Sequence, residues 1–219
     1  MRALLIPVKD PTHAKTRLAG WLSKDERRRL AWTMFEDVSR AVVNARKPER
    51  VVIVTSFAPA VEHARKLGWD ILLEKSQASE SASIDWASLV LIGQGCESVM
   101  RLPADLPLVT PEDIDALLSV ELGSPGALLV PSRDGTGTNA IIRTPPALFP
   151  SRFGPNSLAL HKQEAAQVGV ECLIVENDRI ALDIDEPGDI EVLRERGRET
   201  RTVEVLRESR FWDLRADVR

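Results

Sequence analysis

Short apolar runs alternate along the chain with longer stretches whose apolar residues recur every three or four positions. Residues 2–8 form a buried-type strand pattern, and residues 51–55, 70–73 and 98–102 repeat it. Ser23 followed by Glu26 is a capping-box signature and opens a helix running to about residue 45. Its apolar positions are Leu30, Met34, Val38, Ala41 and Val42. A second helix spans 58–67 and ends at Gly68. Residues 81–93 predict a third, with Ile84, Leu89, Val90 and Ile92 facing inward. Thr110 caps a fourth, with Ile114, Leu117 and Leu118 on its apolar face.

The rhythm changes from residue 126. Runs at 127–130 and 139–142 flank the polar turn Arg133-Asp134-Gly135-Thr136-Gly137, which predicts a hairpin or two adjacent strands. Pro145, Pro146 and Pro150 interrupt regular structure before a helix over 156–168. Residues 170–175 and 180–184 supply further strand, and Pro187 opens a last helix from its first position. No internal repeat is present. The pattern predicts an α/β fold: one domain over residues 1–197, with a mostly parallel, doubly wound sheet and a region containing a β-hairpin. Residues 198–219 form an Arg-rich tail to which the sequence assigns no role.

Composition removes several classes. With 219 residues, 43% hydrophobic and 28% charged, the chain is long enough for a real core and is neither disordered nor a disulfide scaffold. No apolar run reaches membrane-spanning length, and the N-terminus lacks a signal-peptide pattern. Cys96 and Cys172 are far apart and fit neither a zinc site nor a disulfide framework, so the expected compartment is the reducing cytoplasm. A net charge of −4 offers no field for bulk nucleic-acid binding.

In an open α/β sheet, ligands bind beyond the carboxyl ends of the strands. The loop after the first strand carries Lys9, Lys15 and Arg17, cations suited to a triphosphate or, alternatively, an ordinary solvated loop. Neither a P-loop nor a dinucleotide fingerprint occurs. Asp105 follows the fourth strand between prolines, where a Mg²⁺ ligand or a simple turn residue would sit. Asp183 and Asp185 share one face of an extended segment, which favours a cation between them; capping of the next helix by Asp185 is the competing reading. Gly135-Thr136-Gly137-Thr138-Asn139 and Phe153-Gly154-Pro155-Asn156-Ser157 offer small residues and a helix start to an anion, or else only a turn and a cap. His13, His63 and His161 have no metal-ligand spacing.

The segments IPVKDPTHAKTRLAGWLSKDERRRLA, VVIVT, LPADLPLV, GTGTNAII, RFGPNSLALHK and LDIDEPGDIEVL together resemble the CofC/FbiD family, the guanylyltransferases of coenzyme F420 biosynthesis. They run in family order over nearly all of residues 2–194. The family belongs to the nucleotidyltransferase superfamily that includes the MobA-like enzymes. The resemblance implies a nucleotide-diphospho-sugar transferase-like fold. It also implies GMP transfer from GTP to 2-phospho-L-lactate, phosphoenolpyruvate or 3-phosphoglycerate, with release of pyrophosphate. By the same resemblance, Asp105 and Asp185 hold Mg²⁺. Thr138, Gly154 and Ser157 bind the phospho-acid, Lys9, Lys15 and Arg17 contact the nucleotide, and Asp105, Lys15 and Arg17 carry catalysis. Partners are then the two small substrates, with no nucleic acid or membrane; a homodimer is allowed and not required.

One departure stands out. Where many family members carry a Leu-Asn-Ala segment, this chain has Ser79-Glu80-Ser81-Ala82-Ser83-Ile84-Asp85. It leaves room for two other readings: a related nucleotidyltransferase with another nucleotide or acceptor, and a catalytically silent nucleotide-binding regulator. The presence of both Asp105 and Asp185 counts against the second.

Overall fold

In a computed structural model, which describes residues 1–75, 78–196, 200–209 and 212, the apolar runs form one sheet with helices on both faces. β1 (Arg2–Val8) lies at its centre. β2 (Arg50–Thr55) and β4 (Ser98–Arg101) flank it in parallel, and β3 (Asp70–Leu73) extends the β2 side. The predicted hairpin forms from β5 (Gly126–Pro131) and β6 (Thr138–Thr144), with β6 inserted antiparallel between β4 and β5. β7 (Cys172–Ile174) pairs in parallel with β5, giving the order β3-β2-β1-β4-β6-β5-β7.

Alternate residues of β1 serve opposite layers, as the two-residue side-chain period of a strand requires. Leu4 and Ile6 pack with α1 (Lys24–Asn44), α2 (Ala58–Leu67) and α4 (Pro111–Ser119). Ala3 and Leu5 pack beneath α3 (Glu80–Gly93). Beyond β6, α5 (Ser157–Gln167) covers Leu129 and Ile141 through Ala165. α6 (Pro187–Glu195) opens with proline as expected. Among the described residues no helix is long and apolar enough to cross a membrane.

Two expectations change. Residues 180–184 are not a strand, although Ile180, Leu182 and Ile184 are all buried. Their alternation reflects burial without a ladder: Ile180 O accepts from the Asn139 side chain and Ala181 O from Arg133 N. The inward face of α3 is Ile84, Ala87, Ser88 and Leu91, while Leu89 and Ile92 are exposed. Serines (Ser83, Ser88) share its buried face while Trp86, Leu89 and Ile92 lie on the exposed one, so the apolar period does not mark the inward side.

Residues 201–207 form α7 (Arg201–Arg207), capped by Thr200 and seated on α1. The buried Asp37 carboxylate of α1 accepts from Arg201 N, Thr202 N and Thr202 Oγ1. Val203 and Leu206 join a cluster with Leu30, Met34 and Leu182. The expected boundary at 197/198, and most of the tail beyond Ser209, lie outside the described residues.

Candidate functional site

The strand order reverses direction between β1 and β4, and the loops leaving these two strands frame a crevice. Lys15 comes from the first loop and Asp105 from the second. The Lys15 ammonium donates to Asp105 Oδ2 at 2.7 Å and to Asp185 Oδ1 at 2.7 Å. Lys15 is also held at φ 53°, in the left-handed region that a side-chain-bearing residue enters at a cost of about 1–2 kcal/mol. Burial alone would depress its pKa, but the two carboxylates outweigh that and raise it. Burial likewise pushes Asp105 upward, and Lys15 with Arg101 reverses this and holds it below the usual carboxylate range.

Asp183 completes the group. One carboxylate oxygen each from Asp105, Asp183 and Asp185 lie within 4.8 Å of one another. Burial, then the charge of Asp105, raises the Asp183 pKa to about 6 despite a 3.0 Å hydrogen bond from Asn139 Nδ2. Three hard oxygen donors converging on one point match the ligand preference of a divalent ion such as Mg²⁺. The helix that follows does not use Asp185 as its cap. Glu186 occupies that position, and Asp189 Oδ2 accepts from Asp185 N and Glu186 N. The Asp185 carboxylate is thereby left to the crevice.

Two cavities meet at this cluster and share Glu80, Arg101, Pro103, Asp105 and Asp185. The first, about 380 Å³, is lined by Lys9, Lys15 and apolar groups from Val8, Ala31, Trp32 and Phe35. The second, about 470 Å³, is lined by Arg17, by residues 132–134 and 136–139, and by residues 153–157. The three cations of the first loop therefore do not face one space together. Lys9 lies on the first cavity, Arg17 on the second, and Lys15 is bound to the carboxylates between them.

Thr138, Gly154 and Ser157 do converge, all on the second cavity. The 132–137 turn is held by Asp134, which accepts from Ser132 Oγ, Thr136 N and Thr136 Oγ1; these bonds lower its pKa to about 2. Gly154 sits at φ 122°, a conformation open only to glycine. Asn156 enters α5 in the left-handed region without capping it. Two of the first amides of α5 are already engaged, Ser157 N by Gly154 O and Leu158 N by Thr136 O. The helix start thus contributes less free N–H than its sequence implies, whereas the Ser157 hydroxyl has no protein partner among the described residues.

Sequence reasoning missed two groups. Arg101, the last residue of β4, sends Nη2 to Glu80 and Nη1 toward Thr138 O and Asn139 O at 3.3 Å, and lies 4.2 Å over the Phe153 ring. Its buried Nε has no partner. The available signal was a charge at the carboxyl end of a buried strand, together with Glu80 in the departing 79–85 segment. His161 is the second: it is fully buried beneath Thr138, and nothing in its helical spacing distinguishes it from a core residue.

Comparison with known proteins bears on the family and the fold. The sequence profile of the family described as "Guanylyl transferase CofC like" matches residues 1–215, running through α7. A phosphoenolpyruvate guanylyltransferase of Rubrobacter xylanophilus is 34% identical over 88% of this chain and 93% of its own length. A 2-phospho-L-lactate guanylyltransferase of Methanothermobacter thermautotrophicus is 32% identical over 94% and 90%. A 3-phospho-D-glycerate guanylyltransferase of Colwellia psychrerythraea is 32% identical over 87% and 90%. Among solved structures, a protein from Desulfovibrio desulfuricans described as a nucleotide-diphospho-sugar transferase superposes with a TM-score of 0.77 at 18% identity, covering 94% of each chain. Its likeness is one of fold. The extent of the match, from β1 to beyond α7, settles the family: this chain belongs to the CofC-like guanylyl transferases.

Proposed function

We propose that the chain transfers GMP from GTP to the phosphate of a three-carbon phospho-acid, with release of pyrophosphate, in the making of coenzyme F420. The acceptor is one of the three acids named for its relatives: phosphoenolpyruvate, 2-phospho-L-lactate or 3-phosphoglycerate. One observation carries this reading: the carboxylates of Asp105 and Asp185 stand in the wall common to two adjoining cavities, one partly apolar and one lined with small polar residues. A nucleotide in the first and a phospho-acid in the second would bring an α-phosphate and an acceptor phosphate together beside that wall.

Asp105 and Asp185, with Asp183 beside them, are the residues that would hold Mg²⁺, which when bound neutralises the charge of the triphosphate. Lys9 and Lys15 add positive charge on the nucleotide side. Arg17 reaches the reacting phosphates from the acceptor side and helps neutralise the transition state. Thr138, Gly154 and Ser157 orient the acid. Its phosphate is already an anionic nucleophile, so no general base is required; positioning and charge compensation suffice.

The test is a pyrophosphate-release assay crossing GTP, CTP and ATP with the three acids in the presence of Mg²⁺. Turnover with GTP and one acid is expected. Turnover only with CTP or ATP would transfer the reading to another nucleotide, and no turnover with any pair would leave a nucleotide-binding regulator.

A further inference from the structure

The three groups assigned to the acceptor lie on separate segments. Thr138 opens β6, Gly154 lies in the loop before α5, and Ser157 begins α5. One side chain ties these segments from beneath. His161 is four residues along α5 from Ser157, hence on the same helix face, and is 0% exposed. Its Nδ1 lies 3.0 Å from Thr138 Oγ1. Its Nε2 accepts a 2.8 Å hydrogen bond from Arg152 N, two residues before Gly154. The Phe153 ring packs edge-on against the imidazole with centroids 4.9 Å apart.

These contacts determine the tautomer. A backbone N–H is only a donor, so Nε2 must be the unprotonated nitrogen, and the ring proton resides on Nδ1. Nδ1–H then donates to Thr138 Oγ1 and occupies one of its lone pairs. The hydroxyl's own hydrogen remains for a group in the second cavity, which Thr138 lines. Burial, reinforced by the Arg143 and Arg101 charges, holds the His161 pKa down to about 4, so the ring stays neutral near pH 7.

We infer that His161 is a positioning residue: its Nδ1–H takes a lone pair of Thr138 Oγ1 and so leaves the hydroxyl hydrogen to be donated to an anionic group of the acceptor. The inference rests on the second cavity being the acceptor site. It gives affinity a physical basis, because a hydroxyl hydrogen barred from the imidazole is available to the ligand, and such a bond is strongest to a charged group.

Two near-isosteric variants separate this role from simple packing. In His161→Asn the side-chain amide N–H falls near the Nδ1 position and keeps the donor to Thr138. In His161→Gln the longer side chain places its amide near the Nε2 position and leaves Thr138 without that donor. Pyrophosphate release should be followed for both, and for each combined with Thr138→Val, varying GTP and each of the three phospho-acids. His161→Gln should raise the acceptor KM roughly tenfold or more, the loss expected when an oriented bond to a charged group is removed. His161→Asn should keep most of the parent affinity, both variants should leave the GTP KM nearly unchanged, and in the Thr138→Val background His161→Gln should add almost nothing.

Equal effects of Asn and Gln, a matching rise in the GTP KM, or full additivity with Thr138→Val would overturn the inference. A parent inactive with all three acids would remove the acceptor reading and this inference with it; an active parent with indifferent His161 variants would remove the positioning role alone. One measurement needs no variant. Imidazole ¹⁵N shifts of the labelled parent at pH 7 should show the Nδ1–H tautomer of His161, and an Nε2–H tautomer or an imidazolium would refute it.

Discussion

The Lys15 ammonium lies 2.7 Å from Asp105 Oδ2, across a sequence separation of 90 residues. The contact joins the exit loops of two neighbouring parallel strands and places a buried cation among carboxylates that would otherwise repel one another. The site's electrostatics, and most of what can be tested about it, follow from this pair.

Lys15→Met should abolish turnover and destabilise the fold by about 1–3 kcal/mol at pH 7, since it leaves partly buried carboxylates without their counter-charge. Millimolar Mg²⁺ should restore part of the loss by binding in its place. Urea unfolding with and without Mg²⁺ checks this. A variant whose stability ignores Mg²⁺ would show that the three carboxylates do not form a cation site.

Asp105→Asn and Asp185→Asn should each lower kcat by roughly a hundredfold or more, the size of effect seen when one group stabilising developing charge is removed. Circular dichroism should remain that of the parent. Near-parent activity of either variant at saturating Mg²⁺ would exclude that residue from the metal.

Asp183 predicts how pH and metal interact. Its pKa rises from 3.8 unfolded to about 6 folded, so the folded protein binds that proton more tightly across this window. The stabilising contribution is present at low pH and is lost as pH rises toward 6, by about 3 kcal/mol. A divalent ion needs the ionised form, so the rise in Tm produced by Mg²⁺ should be larger at pH 7.5 than at pH 5. Asp183→Asn should flatten the difference, and an unchanged dependence in that variant would assign it to other groups.

His161 predicts the opposite slope. Its pKa falls from 6.5 to about 4 on folding, so the unfolded chain binds the proton more tightly between those values. The stability it contributes is present above pH 6.5 and is lost as pH falls toward 4, again by about 3 kcal/mol. Comparing urea midpoints at pH 7 and 5 for the parent and His161→Asn should reveal a steeper acid loss in the parent. Parallel loss in both would mean that the imidazole titrates normally.

Ser157→Ala should raise the acceptor KM roughly ten- to hundredfold, corresponding to about 1.5–3 kcal/mol for a hydrogen bond to a charged group, with little change for GTP. Arg17→Ala should weaken the acceptor at least as much as GTP, because Arg17 lines the second cavity and not the first. Kinetics varying each substrate separately distinguish these outcomes. A selective effect of Arg17→Ala on GTP would return Arg17 to the nucleotide.

Much of the architecture was legible because it is local. The Ser23–Glu26 and Thr110 caps, the Gly68 helix end, the proline opening α6 and the inward stripe of α1 all follow from residues within a few positions of one another. Alternation of such strands and helices implied the doubly wound class, and the exit loops of β1 and β4 pointed to Lys15 and Asp105. Where local pattern was ambiguous it misled. Ile180, Leu182 and Ile184 alternate as a strand would, yet side-chain and loop donors take the carbonyls of Ile180 and Ala181. In α3, serines on the buried face and apolar residues on the exposed one hid which side met the sheet.

What the sequence by itself determined is therefore most of the elements, their order and the residue types available for phosphate and metal chemistry. Only the tertiary structure decided that Lys15, Asp105, Asp183 and Asp185 form one cluster, that Arg17 parts from Lys9, that Arg101 lines both cavities and that His161 stands behind the second. The reason is physical. Hydrophobic period and capping report how each segment meets water and its near neighbours, whereas distances between loops depend on which strands become adjacent in the sheet, and that is set by packing over the whole chain.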